Sequence, residues 1–145
     1  MDPSAELLIA VLQRLRTTPA VIAFVPADRI YDKAPTNLKG EVAAQFPYIT
    51  TGPTAAIPDD FDCVGGEEIT IQLDVWSSGA GEAASTAECR KICNAIKRAL
   101  HDVDDIVLTV NALVTLQWEL TRVLPDPNPA IRHGVVQLTA TIETP

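Results

Sequence analysis

Residues Glu67–Gly81 read EEITIQLDVWSSGAG, and they decide how the rest of the chain is laid out. From Glu68 to Trp76 apolar and polar residues alternate. Ile69, Ile71, Leu73 and Val75 fall on one side, and Thr70, Gln72, Asp74 and Trp76 on the other. A period of two is that of a strand with one covered face. The small residues of SSGAG then turn the chain. After them Ser85, Glu88 or Cys89, Ile92, Cys93, Ile96 and Leu100 recur at helical spacing, with Arg90, Lys91, Lys97 and Arg98 on the wetter side. Such a turn can offer backbone N–H groups to a phosphate, or it can be a corner that lays an amphipathic helix back over the sheet. A phosphate cradle wants a lysine and a hydroxyl residue after its glycines. Here Glu82 follows and brings negative charge to that place. Glu82 reads better as a helix-start acid favoured by the helix dipole, which leaves the corner.

Upstream, Asp2-Pro3 has the form of an N-cap with proline at the first helical position. Leu7, Leu8, Val11, Leu12 and Leu15 then share one helical face. Thr18-Pro19 ends this helix, PAVIAFV supplies one further short helical turn, and FPYITT is a candidate strand. The segment Gly52–Gly66, GPTAAIPDDFDCVGG, is too broken for a core element and too long for a tight hairpin, so it is expected to project as a loop. Such a loop serves either binding or mere connection.

Downstream, two more alternating segments follow. Val114, Leu116, Trp118 and Leu120 share one side of the first, and Val136, Leu138, Ala140 and Ile142 one side of the second. The prolines of the intervening LPDPNPAIRHG cannot continue a ladder, so the two strands are expected to be antiparallel neighbours. The order helix, strand, strand, helix, strand, strand predicts an α+β fold: a mostly antiparallel sheet of about four strands with two main helices packed on one face. The other face carries threonines and glutamines, to meet water or a neighbouring subunit.

A chain of 145 residues fits a single domain, 1–145. The net charge of −8 argues against a nucleic-acid binder held by phosphate contacts, which needs a basic stripe. Three cysteines, an odd number, make no disulfide framework and suggest reduced thiols. An acid precedes the N-terminal apolar run and basic residues follow it, the reverse of a signal peptide. No apolar run reaches the ~18 residues of a membrane span. A soluble, intracellularly made protein without membrane contact is expected.

Constellations that could carry chemistry are few. Cys89 and Cys93 share a helical face, but neither histidine lies at a zinc-motif spacing from them and both occupy the apolar stripe, so they read as packing residues. The acids of PDDFDC and HDVDDI lack the spacing of a calcium loop. His133 has no serine or cysteine nucleophile beside it in sequence. No catalytic, metal or cofactor residues, and no cofactor, are expected. The candidates are interface residues. Arg29, Tyr31 and Asp32 in DRIYD either anchor a partner or solvate a turn whose core residue is Ile30. Asp59, Asp60, Phe61 and Asp62 ride on the projecting loop. Trp76, Arg132 and His133 complete the set.

LLIAVLQRL, TTPAVIAFV, RIYDKAP, FPYITT, ITIQLDVWSSGAGEAASTAECRKICNAI and IRHGVVQLTATIE, in this order and spacing, resemble the tail-completion or tail-terminator proteins of long-tailed bacteriophages and gene transfer agents. The resemblance covers nearly the whole chain, but the loop with PDDFDCVGG has no match in it. It implies a non-enzymatic virion protein, assembled in the bacterial host cytoplasm. Its subunits would form a ring, usually of six copies, at the head-proximal end of the tail tube. That ring would end tail polymerisation and join tail to head. The implied partners are further copies of the chain, the tail tube protein and a head-completion or stopper protein. DNA would pass through the ring without specific binding, repelled by its acidity, with Asp59, Asp60 and Asp62 as candidate channel residues. Two other readings belong to different classes: a small dimeric protein-binding adaptor that uses the sheet face, and a hydrolase built on His133 and nearby acids.

Overall fold

The alternating stretch forms the long strand on which everything else is registered. In a computed structural model, which describes residues 1–79 and 85–145, β1 is Tyr48–Thr51, β2 Ala55–Pro58, β3 Gly65–Ser78, β4 Ala112–Pro125 and β5 Ile131–Thr144. β3 and β5 pair antiparallel along their whole length, from Gly65 opposite Thr144 to Ser78 opposite Ile131. β4 pairs with the far side of β5, while β1 and β2 both pair with the free side of β3. The order is therefore β1-β3-β5-β4, all antiparallel. The fold is α+β as expected, with five strands rather than four. Glu82 and the Ala80-Gly81 part of the corner lie outside the described residues.

Helices α1 (Pro3–Arg16), α2 (Pro19–Ile22) and α3 (Ala87–Leu100) complete the architecture, with a short 3-10 turn at Ala27–Arg29. α1 starts where its sequence says: the Asp2 carboxylate accepts a hydrogen bond from the Ala5 N–H at 2.9 Å, and Pro3 opens the helix. Its stripe of Leu7, Val11, Leu12 and Leu15 is buried. α3 buries Cys89, Ile92, Cys93, Ile96 and Leu100 against the sheet face that carries Ile69, Ile71, Leu73, Val75, Val136, Leu138, Ala140 and Ile142. Each fully buried leucine or isoleucine here contributes roughly 1.5–3 kcal/mol. α3 lies so close to β5 that a Cβ on Gly134 would come within 2.5 Å of Cys93 Sγ and 2.7 Å of Cys89 Sγ. Glycine at this position is thus a packing requirement of the helix, and the cysteines are core residues as read.

Polar ties lock α1 to the end of α3 and the connection that leads to β4. Arg14 donates from Nε to the Ala99 carbonyl at 3.1 Å and from Nη1 to Asp105 at 2.7 Å. The Glu6 carboxylate, buried at 6% exposure, accepts from the backbone N–H groups of Thr109, Val110 and Asn111 and from the Asn111 side-chain amide. By accepting from these four donors the carboxylate does for the 109–111 segment what a neighbouring strand would do, and so anchors the entry to β4.

Two sequence expectations are corrected. The 52–66 segment is not a plain loop, because Ala55–Pro58 pairs with Glu67–Thr70 and makes an exposed hairpin arm. β2 was invisible because all four of its residues are exposed, so it has no apolar alternation to read. In β4 the single face of Val114, Leu116, Trp118 and Leu120 does not exist. Register shifts fall between Leu113 and Thr115 and between Trp118 and Leu120, so Leu113, Leu116, Trp118, Thr121 and Val123 oppose the core-facing residues of β5. An extra residue in a strand moves its neighbours to the other face. Val114 is consequently 54% exposed, whereas Leu116 is buried.

Candidate functional site

The sheet face away from the helices gathers residues that are distant in sequence. The order β1-β3-β5 sets Tyr48 opposite Trp76, and Trp76 opposite His133. The result is an aromatic row across three strands. Tyr48 and Trp76 are stacked with centroids 6.1 Å apart, and Trp76 and His133 lie nearly parallel at 4.0 Å. Phe46 and Tyr31 extend the row beyond Tyr48, at 5.3 and 6.3 Å. Trp76 Nε1 donates to Thr50 Oγ1 at 3.1 Å, so its one polar atom is satisfied. Burial, helped by the nearby Asp126 and Tyr31, pushes the Tyr48 hydroxyl above its ordinary pKa.

Beside this row Asp74 is almost fully buried, and its Oδ1 lies 2.7 Å from His133 Nε2 and accepts from Gln72 Nε2 at 3.0 Å. A carboxylate removed from water needs such partners. His133 is not the loop histidine its surroundings suggested. β5 begins at Ile131, so the ring stands on a strand, held by a carboxylate on one edge and an indole on its face.

The remaining candidates separate into three places. DRIYD is stitched alongside β1: Tyr31 N donates to the Ile49 carbonyl at 2.8 Å, and Thr51 Oγ1 donates to Asp32 Oδ1 at 2.8 Å. Arg29 holds the Phe46 carbonyl and Gln45, and Ile30 is core, so within one copy these residues build the edge of the sheet. Arg132 donates to the Pro129 carbonyl and lines an open cleft of about 420 Å³ together with Leu124, Asp126 and Thr86. Asp59, Asp60, Phe61 and Asp62 sit at the tip of the β2–β3 arm, where Phe61 is 43% exposed and Asp60 accepts from the Gly66 N–H. Trp76 and that tip are at opposite ends of β3, a strand of 14 residues, and so on the order of 40 Å apart. They cannot form one site within a single copy.

Among the described residues, no group of three or more His, Cys, Asp or Glu side chains is arranged to hold a metal ion. The Cys93 thiol is held protonated by its hydrogen bond with Cys89 and by burial. His101, the other histidine, is not beside the cysteines: its Nδ1 accepts from the Trp118 N–H at 3.0 Å on the edge of β4. What the geometry presents is a set of surfaces. Sequence reading missed Phe46, Tyr48, Thr50 and Asp74 in the row; only the acid in the middle of an alternating strand hinted at a partner across the sheet.

The family model described as tail completion protein gp17 matches residues 9–143. This chain belongs to that family of tail completion proteins. The match runs from α1 to the end of β5, and so takes in both the aromatic row and the acidic arm. Among solved structures, a chain of the virion of a native gene transfer agent (GTA) particle shares the fold of this tail completion protein. The two have a TM-score of 0.81 over 98% of each chain, at 22% identity. No curated protein sequence matches the chain. No helix among the described residues is long and apolar enough to cross a membrane.

Proposed function

We propose that this tail completion protein closes the head-proximal end of a virion tail tube as a ring of six copies. The ring ends tube polymerisation and joins tail to head, its two rims meeting the tail tube protein and a head-completion or stopper protein. The family match over residues 9–143 carries this reading. A structural neighbour described as part of a gene transfer agent virion accords with it. So does the distribution of surfaces, because a closed ring joins unlike patches on successive subunits. Here an aromatic row and an acidic arm lie at opposite ends of one long strand. A net charge of −8 per copy would let DNA pass the bore without adhering. The role is structural rather than catalytic, and His133 serves as a packed member of the sheet face.

Sedimentation velocity over a wide concentration range, with and without purified tail tubes, tests the ring. A species near six subunits without intermediates is expected. A stable dimer at every concentration would move the reading to an adaptor that pairs through its sheet face. Loss of a hydrolytic activity in His133→Ala would reinstate an enzyme.

A further inference from the structure

Among the described residues, the outer face of α3 gathers basic side chains on an otherwise acidic chain. Arg90, Lys91 and Arg98 are exposed on the water side of the helix with Asn94 between them, and the half-buried Lys97 beside them holds its ammonium 3.8 Å over the Trp118 ring. The sole acid of α3, Glu88, is turned toward the sheet, where it accepts from Ser77 Oγ at 2.8 Å. Four of the eleven lysines and arginines are thus on one helix. The arm at the other end of β3 is their complement. It carries Asp59, Asp60, Asp62, Glu67 and Glu68, and its apolar side chains Ile57, Phe61 and Val64 are 56%, 43% and 38% exposed. Exposed apolar residues ringed by charge mark a contact surface.

We propose that in the assembled ring the acidic β2–β3 arm of one copy docks on the basic face of α3 of the next. The proposal rests on the ring reading and names its subunit contact. Three observations lead to it. First, the arm extends beyond Gly65 at one end of β3, whereas α3 starts over the other end, with Cys89 and Cys93 on Gly134 opposite Val75, and its Lys97 lies over Trp118, level with Ile71. Second, copies with a net charge of −8 repel one another, so a contact that brings opposite charges together locally is favoured. Arm against arm would be like on like. Third, a contact between two different patches can propagate head to tail, as the subunits of a closed ring require. In this arrangement Asp59, Asp60 and Asp62 are contact residues and not channel-lining ones.

Two charge-reversed proteins test it, one with Asp59, Asp60 and Asp62 all changed to Lys, the other with Arg90, Lys91, Lys97 and Arg98 all changed to Glu. Circular dichroism checks that each folds, and sedimentation velocity reads assembly. Wild-type association should weaken as salt rises toward about 0.5 M. Each variant alone should need on the order of a hundredfold more protein to associate, as expected when like charges face each other. An equimolar mixture should recover assembly, because the basic arm of one variant meets the acidic helix of the other, and the reverse. If a variant fails to fold, carbodiimide coupling of the wild-type protein replaces it. Intermolecular cross-links from the arm acids to Lys91 or Lys97 are then expected, and their absence overturns the contact. Folded variants that assemble as well as wild type also overturn it while leaving the ring intact, as does a mixture that stays apart. A wild-type chain that never associates, alone or on tail tubes, removes both contact and ring. Binding of duplex DNA abolished by the α3 reversals, with assembly unaffected, would assign the helix to DNA and overturn the proposal.

Discussion

His133 Nε2 lies 2.7 Å from Asp74 Oδ1, although 59 residues separate them in the chain. The register places His133 opposite Trp76, so the imidazole stacks on its direct neighbour and reaches diagonally to the acid two residues away. Asp74→Asn should cost about 1–2 kcal/mol of stability, because a buried, charge-assisted hydrogen bond is weakened. His133→Ala should cost a similar amount by leaving the carboxylate with Gln72 alone. Urea denaturation of both variants and the double variant checks this: the double should lose less than the sum of the singles. Full additivity would mean that the pair is not coupled.

Gly134→Ala should destabilise the protein by about 1–3 kcal/mol, the usual cost of overfilling a packed core. The new methyl would sit 2.5 Å from Cys93 Sγ and 2.7 Å from Cys89 Sγ. Removing those sulfurs should make room. In a background with both cysteines changed to alanine, the further cost of Gly134→Ala should shrink to a fraction of its wild-type value, as read from thermal or urea midpoints.

The sequence disclosed what alternation and capping could disclose. Ile69, Ile71, Leu73 and Val75 mark the core face of β3 because one side of that strand is covered and the other is not. Asp2-Pro3 marks the start of α1 because the orphan N–H groups there need an acceptor. The rest was hidden for physical reasons. β2 buries nothing, so it leaves no pattern. The row formed by Tyr48, Trp76 and His133 depends on β5 entering between β3 and β4, a choice of strand order that no local period encodes. Of the candidate residues, Trp76 and His133 meet, while Asp59, Asp60 and Asp62 lie at the other end of the sheet. That separation is legible only once the long strand is in place.

The bulges in β4 make Val114 and Leu116 unequal despite their similar place in the sequence. Val114 is 54% exposed and Leu116 is 1% exposed. Val114→Asp should change stability by no more than about 0.5 kcal/mol, as for ordinary surface substitutions. Leu116→Asp should cost more than about 4 kcal/mol, because it buries an unpaired carboxylate and empties a core site. Thermal unfolding of the two variants side by side measures the difference. Equal losses would restore the unbroken alternation that the sequence suggests.

The Glu6 carboxylate makes the anchor of the 109–111 segment sensitive to acid. Burial alone would raise its pKa. That effect is outweighed by hydrogen bonds from Val110 N–H, from the Asn111 side chain and backbone, and from Thr109 N–H, which together hold the group down to about 2 against an ordinary 4.5. A carboxyl whose folded pKa lies below its unfolded one stabilises the protein fully above the unfolded value, and the benefit is lost as pH falls toward the folded value. The contribution of Glu6 is therefore complete above pH 4.5 and disappears between about 4.5 and 2. Glu6→Gln should be less stable than wild type at neutral pH, since an amide cannot accept from all four donors. It should also lose less stability on acidification, so that the two curves of urea midpoint against pH converge near pH 2. Parallel curves would show that the Glu6 carboxylate does not carry the acid sensitivity of the 109–111 anchor.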